Sequence, residues 1–373
     1  MEIIKLIRKS VQNIPGWSSR RQIVVFESDD WGSVRMPSKK MFNRLVSYGI
    51  NAENCNYLMY DNFETNEDLS ALLDVLKSVK DKNGNYAKLT ANVIVANPDF
   101  DRIRNSGYLE YFYKTLPETI EQYPESNQHL TIITQAKDAG LFIPQFHGRE
   151  HVNISRWLKD LQLGIKETID AFDCDVYGLS MSARSYKGKN YLPALDYDDF
   201  GSKQLTFELI KDGLHIFNNV FGFHSKTFIA PAYTWSDYHE VELNKYGIEA
   251  LQGNPYQKLP SGESNNKKKF HFTGQYNKLG QVYLVRNAYF EPTILGSSDA
   301  VSRCLNQISN AFFWKKPAIV GCHRLNFMGG IVTRNRTENL KLFRLLLKEI
   351  LRKWPDVEFF SSDQLSSLIN NKG

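Results

Sequence analysis

Residues Gln22 to Ser33 read QIVVFESDDWGS, and no other stretch limits the possible folds as tightly. Ile23, Val24, Val25 and Phe26 form a continuously apolar run that stops at an acidic pair, Asp29 and Asp30, followed by Trp31 and Gly32. A short apolar run without alternation is the pattern of a strand covered on both faces. Adjacent carboxylates at its C-terminal end repel one another and resist desolvation, so the fold must bring them a metal, a proton or a cation.

Downstream segments repeat the theme of apolar strands separated by helices. Strands are expected at Leu89 to Ala96, Leu141 to Phe146, Thr227 to Ala232, Ile248 to Gln252, Val282 to Asn287, Ala318 to Cys322 and Val357 to Phe360, with a further one at Val176 to Met181. Helical periodicity covers Asn66 to Lys82, Tyr123 to Gly140, Trp157 to Phe172, Tyr238 to Tyr246, Ala300 to Phe312 and Thr337 to Lys353. Val34 to Asn62 reads as a long loop with short helices, Tyr186 to Gly201 as a polar, acid-rich loop, and Ser261 to Gly280 as a polar, basic surface loop or hairpin. Parallel strands covered by helices on both faces imply an α/β fold, a barrel with insertions, whose functional residues gather at the C-terminal ends of strands. The expected organisation is an N-terminal helix or extension over 1–19 and a single barrel domain over 20–370.

Composition narrows the partners. The 373 residues are 42% hydrophobic and 13% aromatic, which suits a globular enzyme. A charge of +5 from 46 basic and 41 acidic residues is a mild excess that gives no case for nucleic acid. Cys55, Cys174, Cys304 and Cys322 contain no C-x-x-C pair, so neither a disulfide framework nor a zinc knuckle is indicated. The opening MEIIKLIRKSVQNIPGW has too short an apolar run for a secretory signal, so a cytoplasmic location is expected. Ile3, Ile4, Leu6, Ile7 and Val11 fall near helical spacing between Lys5, Arg8 and Lys9, which suits a helix packed on the domain or peripheral membrane contact through residues 1–14.

The strand-end rule finds more chemistry. QFHGREHVN follows the third strand and carries His147 and His151, spaced to reach one metal ion if the chain between them makes a single turn. Asp29 and Asp30 are the obvious source of a completing carboxylate. His323 directly follows the apolar AIVGC run, with Arg324 and Asn326 close behind, and could serve as a general acid opposite a metal-bound water. Each feature has an ordinary structural use, as a turn, an N-cap or a buried histidine; together at strand ends they favour a metal site.

These residues resemble the motifs of the NodB-homology polysaccharide deacetylases, metal-dependent carbohydrate esterases with an incomplete (β/α) barrel. The resemblance spans roughly residues 20 to 370 and implies the incomplete (β/α) barrel of that type, with long loop insertions. It implies that Asp29 is the catalytic base, that Asp30, His147 and His151 bind a divalent metal such as zinc, and that His323 is the catalytic acid. The family's Arg-x-Pro motif is matched in FIAPAYTW only by Pro231, since Ile229 stands at the arginine's place; Tyr233 is available beside it. Arg149, Arg35 or Arg184 is then expected to hold the base aspartate. Trp31, where the family commonly has glycine after the acidic pair, would narrow the sugar site. VEFFSSDQL resembles the closing strand and helix.

The implied activity is hydrolysis of an acyl group, N-acetyl first, from a sugar or glycan precursor, a cleavage of a C–N bond other than a peptide bond. Trp31, Arg149, Pro231 and Tyr233 are the expected substrate contacts, the backbone amide of Tyr233 is a candidate oxyanion donor, and Tyr60, Trp157 and Trp235 are further candidate sugar platforms. Two alternatives compete. HGREH also satisfies the H-x-x-E-H zinc peptidase signature with Glu150 as base, although Pro144 and Gly148 disfavour the helix it needs. A barrel that keeps its metal site but only binds glycans is the second, supported by the missing arginine.

Overall fold

In the computed structural model, residues 13–262 and 267–371 are described. The expected helix near the N-terminus falls almost wholly on residues 1–12 and lies outside them. Nine strands form one sheet, every pairing in it parallel: β1 (Ile23–Trp31), β2 (Leu89–Ile94), β3 (Phe142–Gly148), β4 (Thr227–Ile229), β5 (Ala250–Gly253), β6 (Val282–Val285), β7 (Ala288–Tyr289), β8 (Ala318–His323) and β9 (Glu358–Phe360). Their order is β6-β5-β4-β3-β2-β1-β8-β7, with β9 paired to the first residues of β1.

The order itself reveals the curvature. β6 and β7 are the two edges of the sheet, yet only Arg286 and Asn287 separate them in the chain. The sheet must therefore curl until its edges meet. At this seam the Arg286 amide donates to Gly253 of β5 (2.9 Å) and the Asn287 amide to Ile319 of β8 (3.1 Å). The result is an incomplete (β/α) barrel, as the sequence leads one to expect, its wall interrupted where one strand breaks in two.

Alternation along β1 assigns the layers. Val24 and Phe26 join the outer core with Leu69 and Leu72 of α1 (Asn66–Leu76) and Leu340 and Phe343 of the long helix Thr333–Lys353. Ile23 and Val25 face the interior with Val282, Leu284 and Ile319, and the helix Ser362–Asn370 closes that end through Leu365 and Ile369. Burying such side chains contributes roughly 1.5–3 kcal/mol each. Thr65 starts α1 with a capping box to Asp68.

Two expectations fail. Val176 to Met181 forms no strand; it runs as loop, with Val176 and Leu179 buried against Leu45 and Leu58 of the long insertion after β1. Residues 200–221, for which no helix was expected, form a 22-residue helix, Phe200–Phe221, capped by Asp199 and ended by Gly222 at φ 73°. Gly213 lies against Phe146 and Arg149, where a Cβ would stand 2.7 Å from the Phe146 ring, so the glycine that weakens the sequence signal is what lets helix and sheet approach. The basic segment after Ser261 becomes half of a small hairpin in which Lys268–Phe270 pairs antiparallel with Tyr256–Lys258.

Candidate active site

In a regular strand Asp29 and Asp30 would point to opposite faces. Here the pairing of β1 with β2 shifts register between Ser28 and Trp31, and Asp30 takes φ 74°. This bulge re-aims the chain so that both carboxylates reach the C-terminal mouth of the barrel. Gly32 follows at φ 80° with its α-carbon so close to β2 that a Cβ would meet the Ile94 carbonyl oxygen at 2.3 Å, which excludes every other residue. Trp31 consequently turns into the outer core, fully buried and edge-on to Phe142 at 4.9 Å. It cannot narrow a sugar site.

His147 ends β3 and donates from Nδ1 to the Ile229 carbonyl (2.9 Å), which leaves Nε2 as the lone-pair nitrogen. That atom lies 3.4 Å from Asp30 Oδ1, and His151 Nε2 lies 3.6 Å from the same oxygen. Asp30 Oδ1 is buried without a hydrogen-bond partner, a costly arrangement unless something else faces it. Tetrahedral donors about 2.0–2.1 Å from zinc stand about 3.3–3.4 Å apart, so the three residues fit a divalent ion. They are the only group of three or more potential ligands among the described residues. Burial, aided by Arg35 and His147, pushes the His151 imidazole down to about 3 against the pull of Asp30, which keeps it neutral as a ligand must be. Burial would raise the Asp30 carboxyl, but His147 and His151 together hold it well below the carboxylate range.

Asp29 is gripped from another direction. Arg286, at the seam, donates from Nη1 to Oδ2 and from Nη2 to Oδ1, both at 2.7 Å, while Asn92 donates to Oδ1 (2.8 Å). The same guanidinium donates from Nε to Glu27 (2.7 Å), one inward position earlier on β1. Burial would raise Asp29, but Arg286 overcomes it and the carboxyl falls to about 2; Glu27, with the smaller share of the cation, is raised by burial. The arginine missing beside Pro231 is thus replaced from a different strand. None of the three arginines expected there takes the place. Arg149 is spent on Glu150 (2.6 Å twice) and Asp212 (2.8 Å), Arg184 on Tyr191 and Lys189, and Arg35 makes no bond to Asp29.

His323 faces Asp29 across the mouth, its Nε2 3.9 Å from Oδ2. Its Nδ1 is paired with Glu291 (2.6 Å), itself held by Asn326 (2.7 Å). Burial would depress His323, but Glu291 and the two aspartates raise it to about 9. A cavity of about 230 Å³ opens between these groups, lined also by Arg35, Tyr57, Leu192, Tyr233 and Lys258.

Of the other expected contacts, the Tyr233 side chain lines the cavity and the rest do not. Pro231 is buried against Gly148 between two cavity-lining alanines. The Tyr233 amide already donates to the Ala230 carbonyl (2.9 Å), inside a tight turn where Ala232 and Tyr233 have φ 54° and 58°, so it is not a free oxyanion donor. Trp157 packs with Phe100 and Phe172, Trp235 stacks on His271, and Tyr60 lines a separate surface hollow. Glu150 is held by Arg149 and buried, and His147 lies on a strand, so the helix that H-x-x-E-H requires is absent.

No family model matches this sequence, and no curated protein does. Among solved structures, PuuE allantoinase is 10% identical over 94% of this chain and 91% of its own, with a TM-score of 0.50. Proteins assigned as polysaccharide deacetylases from Mycobacterium smegmatis (12% identical, 96% and 93% covered, TM-score 0.48) and Pseudomonas aeruginosa (8%, 95% and 92%, TM-score 0.48) also resemble it. At such identities likeness speaks for the fold alone: this chain shares its incomplete (β/α) barrel with PuuE allantoinase, and polysaccharide deacetylases stand among the structures it resembles.

Proposed function

We propose that the protein is a metal-dependent hydrolase that removes an acyl group, N-acetyl first, from a sugar or glycan precursor. The observation that carries this reading is the convergence of an Asp30, His147 and His151 donor set, an ionised Asp29 and a protonated His323 on one small cavity. A divalent ion on the three donors would supply Lewis acidity, lowering the pKa of water to about 7 and polarising the acyl carbonyl.

The chain's own residues divide the proton work. Asp29 Oδ1 is saturated by Asn92 and Arg286, whereas Oδ2 has one partner and faces the cavity. Oδ2 accepts the proton of the attacking water, with Arg286 and Asn92 fixing its orientation. His323 Nε2 donates to the departing amine nitrogen, and Glu291 both orients the ring and keeps it charged.

The test is a pair of variants on an acetate-release assay with metal analysis. Asp29→Asn retains stoichiometric metal and loses activity; Asp30→Asn loses the metal. Full activity of Asp29→Asn would overturn the assignment of the base, and a wild-type protein without stoichiometric metal would overturn the reading as a whole.

A further inference from the structure

Asp29 is matched by Arg286 and Glu291 by His323, but Arg35 and Lys258 also line the cavity and neither forms a hydrogen bond or ion pair through its side chain with a described residue. Arg35 is 3% exposed and lies beside two aromatic rings, 5.2 Å from Tyr57 and 5.9 Å from Tyr177, and against the backbone at Gly178. The carboxylates that act on it through space are committed elsewhere, Asp30 to the two histidines and Asp61 to Arg324. A buried guanidinium without hydrogen bonds is expensive to maintain, and its natural complement is an anion.

The basic hairpin at the rim makes the same point independently. Lys258 and Lys268 are direct cross-strand partners, so their side chains rise from the same face, and like charges in that position oppose pairing. Burial and the neighbouring Lys268 both depress Lys258. Lys267 precedes the pair, while Lys269, on the other face, is neutralised by Asp237. Lys258 at the mouth, with Lys268 repelling it from the neighbouring strand, and a buried Arg35 without a hydrogen-bonded partner within offer positive charge to an anion.

The cavity's size sets what can lie beside that charge. About 230 Å³ is below the roughly 300–1,000 Å³ of drug-sized sites, so about one sugar unit fills it and anything attached to that unit runs out over the open rim. Resting on the reading that this cavity holds an acylated sugar, we propose that the substrate is a phosphorylated acyl sugar, its phosphate or pyrophosphate held between Arg35 and Lys258 while its acyl group faces Asp29 and Asp30.

The metal-loaded full chain is assayed for acetate release from N-acetylglucosamine, N-acetylglucosamine 1-phosphate and UDP-N-acetylglucosamine, and glucose 1-phosphate binding is measured against glucose by calorimetry. The proposal expects kcat/KM at least about tenfold higher for a phosphorylated substrate than for the neutral sugar, the better of the two identifying a monophosphate or a diphosphate source. Lys258→Met shrinks that preference and weakens glucose 1-phosphate at least about fivefold, while its melting temperature stays level or rises because the repulsion with Lys268 is gone. Equal kcat/KM for neutral and phosphorylated sugars, or glucose 1-phosphate binding unchanged in Lys258→Met, overturns the proposal. If no acetate is released but glucose 1-phosphate binds in a Lys258-dependent way, the anion site stands and the deacetylase reading falls.

Discussion

Two clusters in this barrel have the same composition and opposite fates. Arg286 sits between Glu27 and Asp29; Arg324 sits between Asp61 and Glu64. In each, one carboxylate drops to about 2 against the cost of burial, Asp29 in the first under Arg286 and Glu64 in the second under Arg324 together with His129. The other is left short: Glu27 is raised, and Asp61, pushed by burial against the pull of Arg324, rises to about 6. The difference is access. Arg324 is wholly enclosed, its third donor closing on the Ser33 carbonyl, and Glu64 goes on to receive the Gly32 amide (2.8 Å) and His129 (2.7 Å). That cluster staples the turn after β1 to the end of β8. The Arg286 cluster leaves one edge of Asp29 open to the cavity, and identical chemistry becomes available for reaction.

Substitutions can break this comparison. Arg286→Met should have the largest effect, because it strands two buried carboxylates: a stability loss of about 3–5 kcal/mol by chemical denaturation, with acetate release lost in the protein that remains folded and metal retained. Arg286→Lys should not rescue it, since a single ammonium cannot replace the two-pronged grip on Asp29. Arg324→Met should cost a similar 3–5 kcal/mol or so. Its rate per folded molecule should fall well short of the roughly hundredfold that a misplaced catalytic group costs, which is the contrast that separates the clusters.

A smaller change sharpens the catalytic side. In the proposed mechanism His323 is an acid only while protonated, so activity should decline as pH rises through about 9. Glu291→Gln should return the imidazole toward the ordinary value of about 6.5, moving that decline to lower pH in a kcat profile. The stability that the raised value confers is present below the unfolded value and lost as pH climbs through about 9, so the variant's deficit should be largest at neutral and acid pH. Smallest in rate is Glu150→Gln, outside both clusters: a loss of about 1–3 kcal/mol from weakening the Arg149 pair, with acetate release per folded molecule unchanged. A collapse in that rate would revive the peptidase alternative.

What could be read from the sequence was whatever lies contiguous with a strand. β1, β3 and β8 announce themselves as apolar runs, and the residues ending them, Asp29, Asp30, His147 and His323, come together in space. Arg286 obeys the same rule, directly following VYLV, and could have been found by it. The expected strand Val282 to Asn287 runs through it, which hides it as a strand-end residue and leaves Arg149, Arg35 and Arg184 as the candidates. Glu291 and Tyr57 gave no such signal, since a short turn and a long insertion carry them to the cavity. Trp31 was misread because alternation places it correctly only if the bulge at Asp30 is known. The helix Phe200–Phe221 was hidden by Gly201, Gly213 and paired asparagines; Gly213 is there for tight packing on β3 that no local pattern encodes.

The floor of the barrel has a consequence for how the molecule comes into being. Ser362, at the start of the closing helix, donates to Glu27 at 2.8 Å across 335 residues of chain, and β9 pairs with the first residues of β1. The strand that bears Asp29 and Asp30 gains its last neighbours only when residues near 360 are in place. Contacts of such sequence separation form slowly. β1 is therefore fully sheathed only by a contact that spans almost the whole chain.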